Sequence, residues 1–203
     1  TLATLTIYRG LAIHVNQARI TIMPELTRFF GIGEILNIPM PIIIAILIAV
    51  VGVIVIEHTK FGRYVLALGS SEQSARESDL PVFRTRVLVY TIAGACAGIA
   101  AMILVGRVGA VQSDMGIGIE FTVITAVVLG GTSLSGGQGS IVGSLFGAVL
   151  LVMVDNGLNL INASPFIYDI VRGTVLIGAI IIDRFTQIKK QGSSIKMFLK
   201  YGG

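Results

Sequence analysis

Residues 130–143 read GGTSLSGGQGSIVG. Five of the first ten are glycine (Gly130, Gly131, Gly136, Gly137, Gly139), with Thr132, Ser133 and Ser135 among them. Apolar runs lie on both sides, 121–129 and 141–154. The stretch is either part of a soluble ligand-binding domain or a glycine-rich break between two membrane segments. Composition separates the two. The chain has 203 residues, 54% hydrophobic and 13% charged, with mean hydropathy +0.88. A soluble domain carries about 25% charged residues. Half that usage cannot clothe a water-exposed surface, so the sequence predicts an all-α, polytopic transmembrane helical bundle.

The same stretch contains a false signal. Residues 134–138 spell LSGGQ, the signature string of ATP-binding-cassette ATPases. There the motif acts at a helix N-terminus, where backbone N–H groups meet phosphate. It belongs to a soluble α/β domain that also carries a G-x-x-x-x-G-K-[ST] loop. This sequence contains no such loop, and no segment is long and polar enough to form that domain. The string reads instead as a flexible connection with glycine at positions of positive φ, with Ser135 or Ser140 capping the helix that follows.

Outward from it, 41–56 is a clean apolar run of roughly 24 Å as a helix, with Pro39 and Pro41 suited to its start. Residues 87–105 form a second span and carry Gly94-x-x-x-Gly98, a spacing that permits close helix approach. The run 121–129 is short. The run 141–154 continues a ladder of Gly139, Gly143 and Gly147 on one face. Residues 155–165 read as a polar loop and 166–182 as the last span. Residues 1–15 open in the manner of a span interior, so we expect an N-terminal part upstream. About six membrane segments result.

Lysine and arginine set the orientation. The 57–86 segment holds five (Lys60, Arg63, Arg76, Arg84, Arg86), and the tail five more (Arg184, Lys189, Lys190, Lys196, Lys200). The 106–120 connection has one and 155–165 none. Both basic segments are therefore expected in the cytoplasm, with four crossings between them. On that count 121–129 crosses, and the glycine-rich stretch faces the cytoplasm. The alternative is that 121–129 dips in and re-emerges.

Within 57–86, residues 70–77 read as a short amphipathic helix with Ser70 or Ser71 as N-cap and Pro81 ending it. It is either a docking element for a soluble partner or a solvated connector. Asp169 and Arg172 are three residues apart on the last span, either a functional intramembrane pair or an interfacial ion pair. Asn156, Asn159 and Asn162 either bind hydroxyls or a partner, or cap and turn. Cys96 is a lone small hydrophobe, and His14 and His58 are isolated, so no metal site is expected.

Several blocks together resemble a family. Phe61-Gly62-Arg63-Tyr64, Ala67-Leu68-Gly69, Glu72, Ala75-Arg76 and Val89-Tyr90 are similar, in order, to permease subunits of bacterial ATP-binding-cassette importers of ribose and related monosaccharides. So are Ala126 through Leu134, Gly136-Gly137, Gly139, Ile141-Val142-Gly143 and Asn156 through Leu160. In that family the Gly-Gly-Thr-Ser-Leu-x-Gly-Gly run belongs to the permease, so Ser135 and Gln138 complete LSGGQ by coincidence. The resemblance implies about ten helices in the full subunit, of which this chain is the C-terminal part. It implies a permease domain over 1–184 with a cytoplasmic coupling loop at 57–86, and a basic cytoplasmic tail over 185–203. Glu72, Ala75, Arg76, Leu80 and Pro81 would couple to the ATPase. Gly130, Gly131, Thr132, Ser133, Gly136, Gly137, Asn156 and Asn159 would line the translocation path or gate. The implied partners are a cytoplasmic ATPase that holds ATP and magnesium, an extracytoplasmic sugar-binding protein, a second permease subunit (identical or not) and the bilayer, with no nucleic acid. The chain itself would bind no cofactor and catalyse no reaction. Its expected place is the bacterial inner membrane, multi-pass, with the C-terminus in the cytoplasm. One departure is visible: Glu77-Ser78-Asp79 stands where the family more often has an uncharged Ser-Gly turn. The rival class, an ion-gradient-driven transporter or channel, wants membrane-buried carboxylates, for which Asp169 and Glu120 are the candidates.

Overall fold

The computed structural model describes residues 2–16, 21–22, 24–112 and 115–201, with side chains described outside positions 2, 16, 21, 165, 169 and 186–201. In chain order the elements are α1 (Leu2–Asn16), β1 (Thr21–Ile22), α2 (Glu25–Ile32), β2 (Glu34–Ile35), β3 (Ile38–Pro39), α3 (Met40–His58), α4 (Lys60–Ser70), α5 (Glu72–Glu77), α6 (Val82–Val108), β4 (Ala110–Val111), α7 (Ile119–Leu129), α8 (Ile141–Leu160) and α9 (Pro165–Tyr201). Among the described residues, α3, α6 and α8 are long and apolar enough to cross a membrane. At 1.5 Å per residue they measure about 28, 40 and 30 Å, against a hydrocarbon core of about 30 Å.

Two compact units divide the chain. The first comprises Thr1–Val51 and Phe83–Ile117. It holds two small antiparallel strand pairs, β1 with β4 and β2 with β3. The β2–β3 turn places Leu36 and Asn37 both at positive φ, as the commonest two-residue hairpin requires. Those strands were not expected from the sequence, since two-residue pairs leave no alternation to read. The second unit comprises Gly52–Val82 and Gly118–Gly203. Its centre is the shortest apolar helix: α7 packs on both α8 and α9, and Thr125, Ala126 and Val128 are buried. Thr125 tolerates this position because its hydroxyl donates to the Phe121 carbonyl at 2.7 Å, the back-bond open to a helical threonine.

Three local readings change. Residues 57–70 are not loop: 57 and 58 end α3 and α4 occupies 60–70, capped by Thr59, whose hydroxyl donates to the Val55 carbonyl at 2.6 Å and accepts from the Gly62 amide at 3.4 Å. Pro81 does not end α5. The end is a Schellman motif, with Leu80 N–H donating to Ala75 O and Asp79 N–H to Arg76 O, and Asp79 left-handed at φ 55. Residues 155–160 are not loop either. They are the last turns of α8, closed by the same motif with Asn162 at φ 52. Asn156 and Asn159 are therefore helical. α9 runs unbroken past Asp183.

Candidate functional site

The glycine-rich stretch is an ordered hairpin connection. α7 ends in a third Schellman motif: Thr132 N–H donates to Val127 O, Gly131 N–H to Val128 O, and Gly131 takes φ 86. Ser133 N–H then donates to Gln138 O and Gly136 N–H to Ser133 O, while Ser135 N–H donates to Ser133 Oγ. Ser140 N–H donates to Thr132 Oγ1. Ser140, not Ser135, caps α8, its Oγ accepting from Gly143 N–H at 3.2 Å. The backbone N–H groups of Ser133, Ser135, Gly136 and Ser140 are thus engaged inside the loop. The Thr132 and Ser144 hydroxyls lie 3.3 Å apart and tie the loop to α8.

Glycine sets the approach of α7 to α8. A Cβ on Gly147 would strike the Ala126 carbonyl oxygen, and one on Gly143 the Gly130 carbonyl oxygen. The pairs 126–147 and 130–143 step four residues in opposite directions, so the two helices run antiparallel with backbones in contact. At the hairpin tip the neighbour is the end of α4. A Cβ on Gly136 would meet the Gly69 carbonyl, and one on Gly137 the Ser70 Oγ. Both residues have positive φ, 85 and 76, so both glycine properties are in use at once.

Ser70 ends α4, and Ser71 alone separates it from α5. Ser71 caps α5, its Oγ accepting from Ser74 N–H at 3.2 Å. Arg76 and Glu72 form an ion pair at 2.6 Å, and Gln73 Nε2 donates to Glu77 Oε1 at 3.0 Å. Both are i,i+4 links on an exposed face, so they order that face while adding little stability. Ala75 points the other way and is 3% exposed. It seats α5 rather than presenting a contact. Leu80 is half-buried and Pro81 exposed.

The expected path residues thus separate. Gly130, Gly131, Thr132, Ser133, Gly136 and Gly137 gather at the N-terminal end of α8, beside α4 and α5. Asn156 and Asn159 lie toward its other end, Asn156 about 22 Å from Ile141 along the helix. A cavity of about 360 Å³ opens between the end of α3, α4, the hairpin and α8, lined by apolar side chains such as Ile56, Leu66 and Ile141 together with the hairpin residues Thr132, Ser133 and 136–140. Sequence reasoning missed two polar anchors. Ser133 Oγ donates to Asp183 Oδ2 on α9 at 3.4 Å. Arg172 on α9 forms a two-point ion pair with Asp155 on α8, Nη2–Oδ2 at 2.7 Å and Nε–Oδ1 at 3.2 Å. The signal for the second was present: Gly143, Gly147, Leu151 and Asp155 recur every four residues and put a carboxylate on the packed face. The Asp169 side chain, expected beside Arg172, lies outside the described residues.

A family model described as branched-chain amino acid transport system / permease component matches residues 2–180. The chain is 40% identical over 187 residues to the ribose import permease protein of Bacillus subtilis (strain 168), covering 91% of this chain and 58% of that protein. To the L-arabinose transport system permease protein of Escherichia coli (strain K12) it is 38% identical over 193 residues, 94% of this chain and 58% of that protein. To the ribose import permease protein of the same strain it is 37% identical over 192 residues, 92% and 60%. The chain therefore spans 58–60% of the length of these curated relatives. No solved structure matches it.

Proposed function

The chain belongs to the branched-chain amino acid transport system / permease component family, and on that premise we propose that it forms membrane-spanning structure of an ATP-driven importer for a pentose or hexose. The sugar class is supported by the names of its relatives, ribose and L-arabinose permeases. ATP and magnesium belong to a separate cytoplasmic ATPase, the sugar is delivered by an extracytoplasmic binding protein, and a second permease subunit completes the path. The bacterial inner membrane is its place, with the 57–86 segment and the C-terminus on the cytoplasmic side, where the basic residues concentrate.

One observation carries the mechanism: the end of α4, which leads directly into α5, touches the tip of the α7–α8 hairpin at Gly136 and Gly137. The exposed polar face of α5 (Glu72, Gln73, Arg76, Glu77) is the docking surface. A push on α5 reaches Gly69 and Ser70, and through them the hairpin between two membrane helices. Backbone-to-backbone contact makes this a stiff junction, since no long side chain intervenes to absorb the movement. The contact also supports a hairpin tip on the same membrane side as α5, and with it 121–129 as part of a crossing over a re-entrant dip.

The test is Arg76→Glu. It leaves the buried Ala75 seat in place and reverses one exposed charge. We expect co-purification of the ATPase to fall about tenfold or more, in line with loss of an interfacial charge contact, while membrane abundance of the permease is unchanged. Wild-type co-purification and uptake in that variant would refute docking through α5.

A further inference from the structure

Asp155 and Arg172 lie on the packed faces of two apolar helices. On α8 Asp155 follows Gly147 and the buried Leu151; on α9 Arg172 precedes Leu176 and the buried Ala179. The pair is two-point, and its side chains keep 24% and 32% exposure. Asp155 is the fifteenth of the twenty residues of α8, about 21 Å from the first, and so within the depth of a hydrocarbon core. Charges there are costly and mark function more often than not. An apolar pair of similar volume would hold two helices together as well or better, so stability alone does not account for an ionic one. Its partial exposure supplies the difference: water or sugar hydroxyls can reach the carboxylate and the guanidinium and take over their hydrogen bonds when the helices part.

The surrounding packing makes that bond the distal polar tie between α8 and α9. α8 is locked to α7 at its N-terminal half by the Gly143 and Gly147 approaches. α9 packs on α7 far more than on α8, and is tied at Asp183 to Ser133 of the hairpin. Asp183 and Arg172 are eleven residues apart, about 16 Å along α9, so one rigid helix carries a polar anchor to the hairpin and another to the distal part of α8. Movement of the hairpin therefore acts on the Asp155–Arg172 bond through α9.

We propose that Asp155 and Arg172 form an intramembrane clasp that opens and recloses during transport. This rests on the importer reading above. The two residues position α8 and α9 and take no part in chemistry. The experiment uses the natural polypeptide assembled with its partners, and measures membrane abundance, ATPase co-purification and sugar uptake together. Arg172→Gln lowers uptake about tenfold or more, since it strands the Asp155 carboxylate, and Asp155→Asn lowers it likewise by removing the two-point ion pair. The exchange Asp155→Arg/Arg172→Asp restores uptake to within about threefold of wild type by re-forming the pair. The apolar pair Asp155→Leu/Arg172→Met assembles normally yet imports about tenfold less, because it has no polar bonds for water or sugar to replace. Near-normal import by the apolar pair overturns the proposal, as does its failure to assemble, since either makes the ion pair a staple. An exchange variant no better than the single changes at equal abundance also overturns it. If the wild-type protein neither binds an ATPase nor imports a sugar, the importer reading fails instead, which the same measurements distinguish.

Discussion

Two glycine ladders in this chain look alike in sequence and differ completely in place. On α6, Gly94 and Gly98 are four residues apart; on α8, Gly143 and Gly147 have the same spacing. The α8 pair is pressed against the backbone of α7, so that a Cβ on either would strike a carbonyl. At Gly94 and Gly98 a Cβ would meet nothing within 4 Å. Four-residue spacing therefore establishes a small-residue face and says nothing of what covers it. On α8 the cover is another helix of the same chain. The α6 face is open among the described residues, where lipid, another subunit or a further segment of the same polypeptide can lie against it.

The sharpest test of this contrast is to fill both ladders. Gly147→Leu should cost at least about 2 kcal/mol by overpacking and abolish uptake, read as loss of thermal stability in detergent and of membrane abundance. Gly94→Leu should leave the stability of residues 1–203 on their own unchanged within about 0.5 kcal/mol. An equal loss at both positions would erase the distinction. A smaller effect is expected at the hairpin tip. Gly136→Ala adds one methyl against the Gly69 carbonyl at a left-handed residue, costing about 1–2 kcal/mol. Uptake should fall while ATP hydrolysis by the partner continues, since the junction and not the docking face is altered. Parallel loss of ATPase binding would show instead that α5 itself had been displaced. The smallest effect, of opposite sign, belongs to Asp79. It holds the C′ position of α5 at φ 55, where glycine is preferred. Asp79→Gly should stabilise that turn by about 1 kcal/mol, seen as slower proteolysis of the 70–82 segment with uptake unchanged.

Much of the fold was legible because it is local. The long apolar runs at 41–56, 87–105 and 141–154 became α3, α6 and α8, since a continuous apolar stretch that must satisfy its backbone in lipid has no choice but helix. Ser71 and Ser140 cap where short hydroxyl residues before a helix should. The family, too, was readable from its motif blocks. Less legible were the ends of elements. Polar residues 155–160 looked like loop, yet the helix continued until Asn162 turned left-handed. α4 was hidden because its eleven residues, with Gly62, Gly69 and two exposed basic side chains, are too short and mixed to stand out from the charged segment around them.

What the sequence by itself determined is a membrane protein with helices of given length and caps at given serines, and a glycine-rich break between two of those helices. Only the tertiary structure decided what that break touches. Gly136 and Gly137 meet Gly69 and Ser70 across more than sixty residues of chain, and the contact is made by backbone atoms and the short Ser70 side chain. Such a junction has no side-chain pattern to read: glycine is there because nothing larger fits, and absence of a side chain names no partner. The Asp155–Arg172 bond is the converse. Both charges are visible in the sequence, but which two helices they join depends on α7 filling the space beside both.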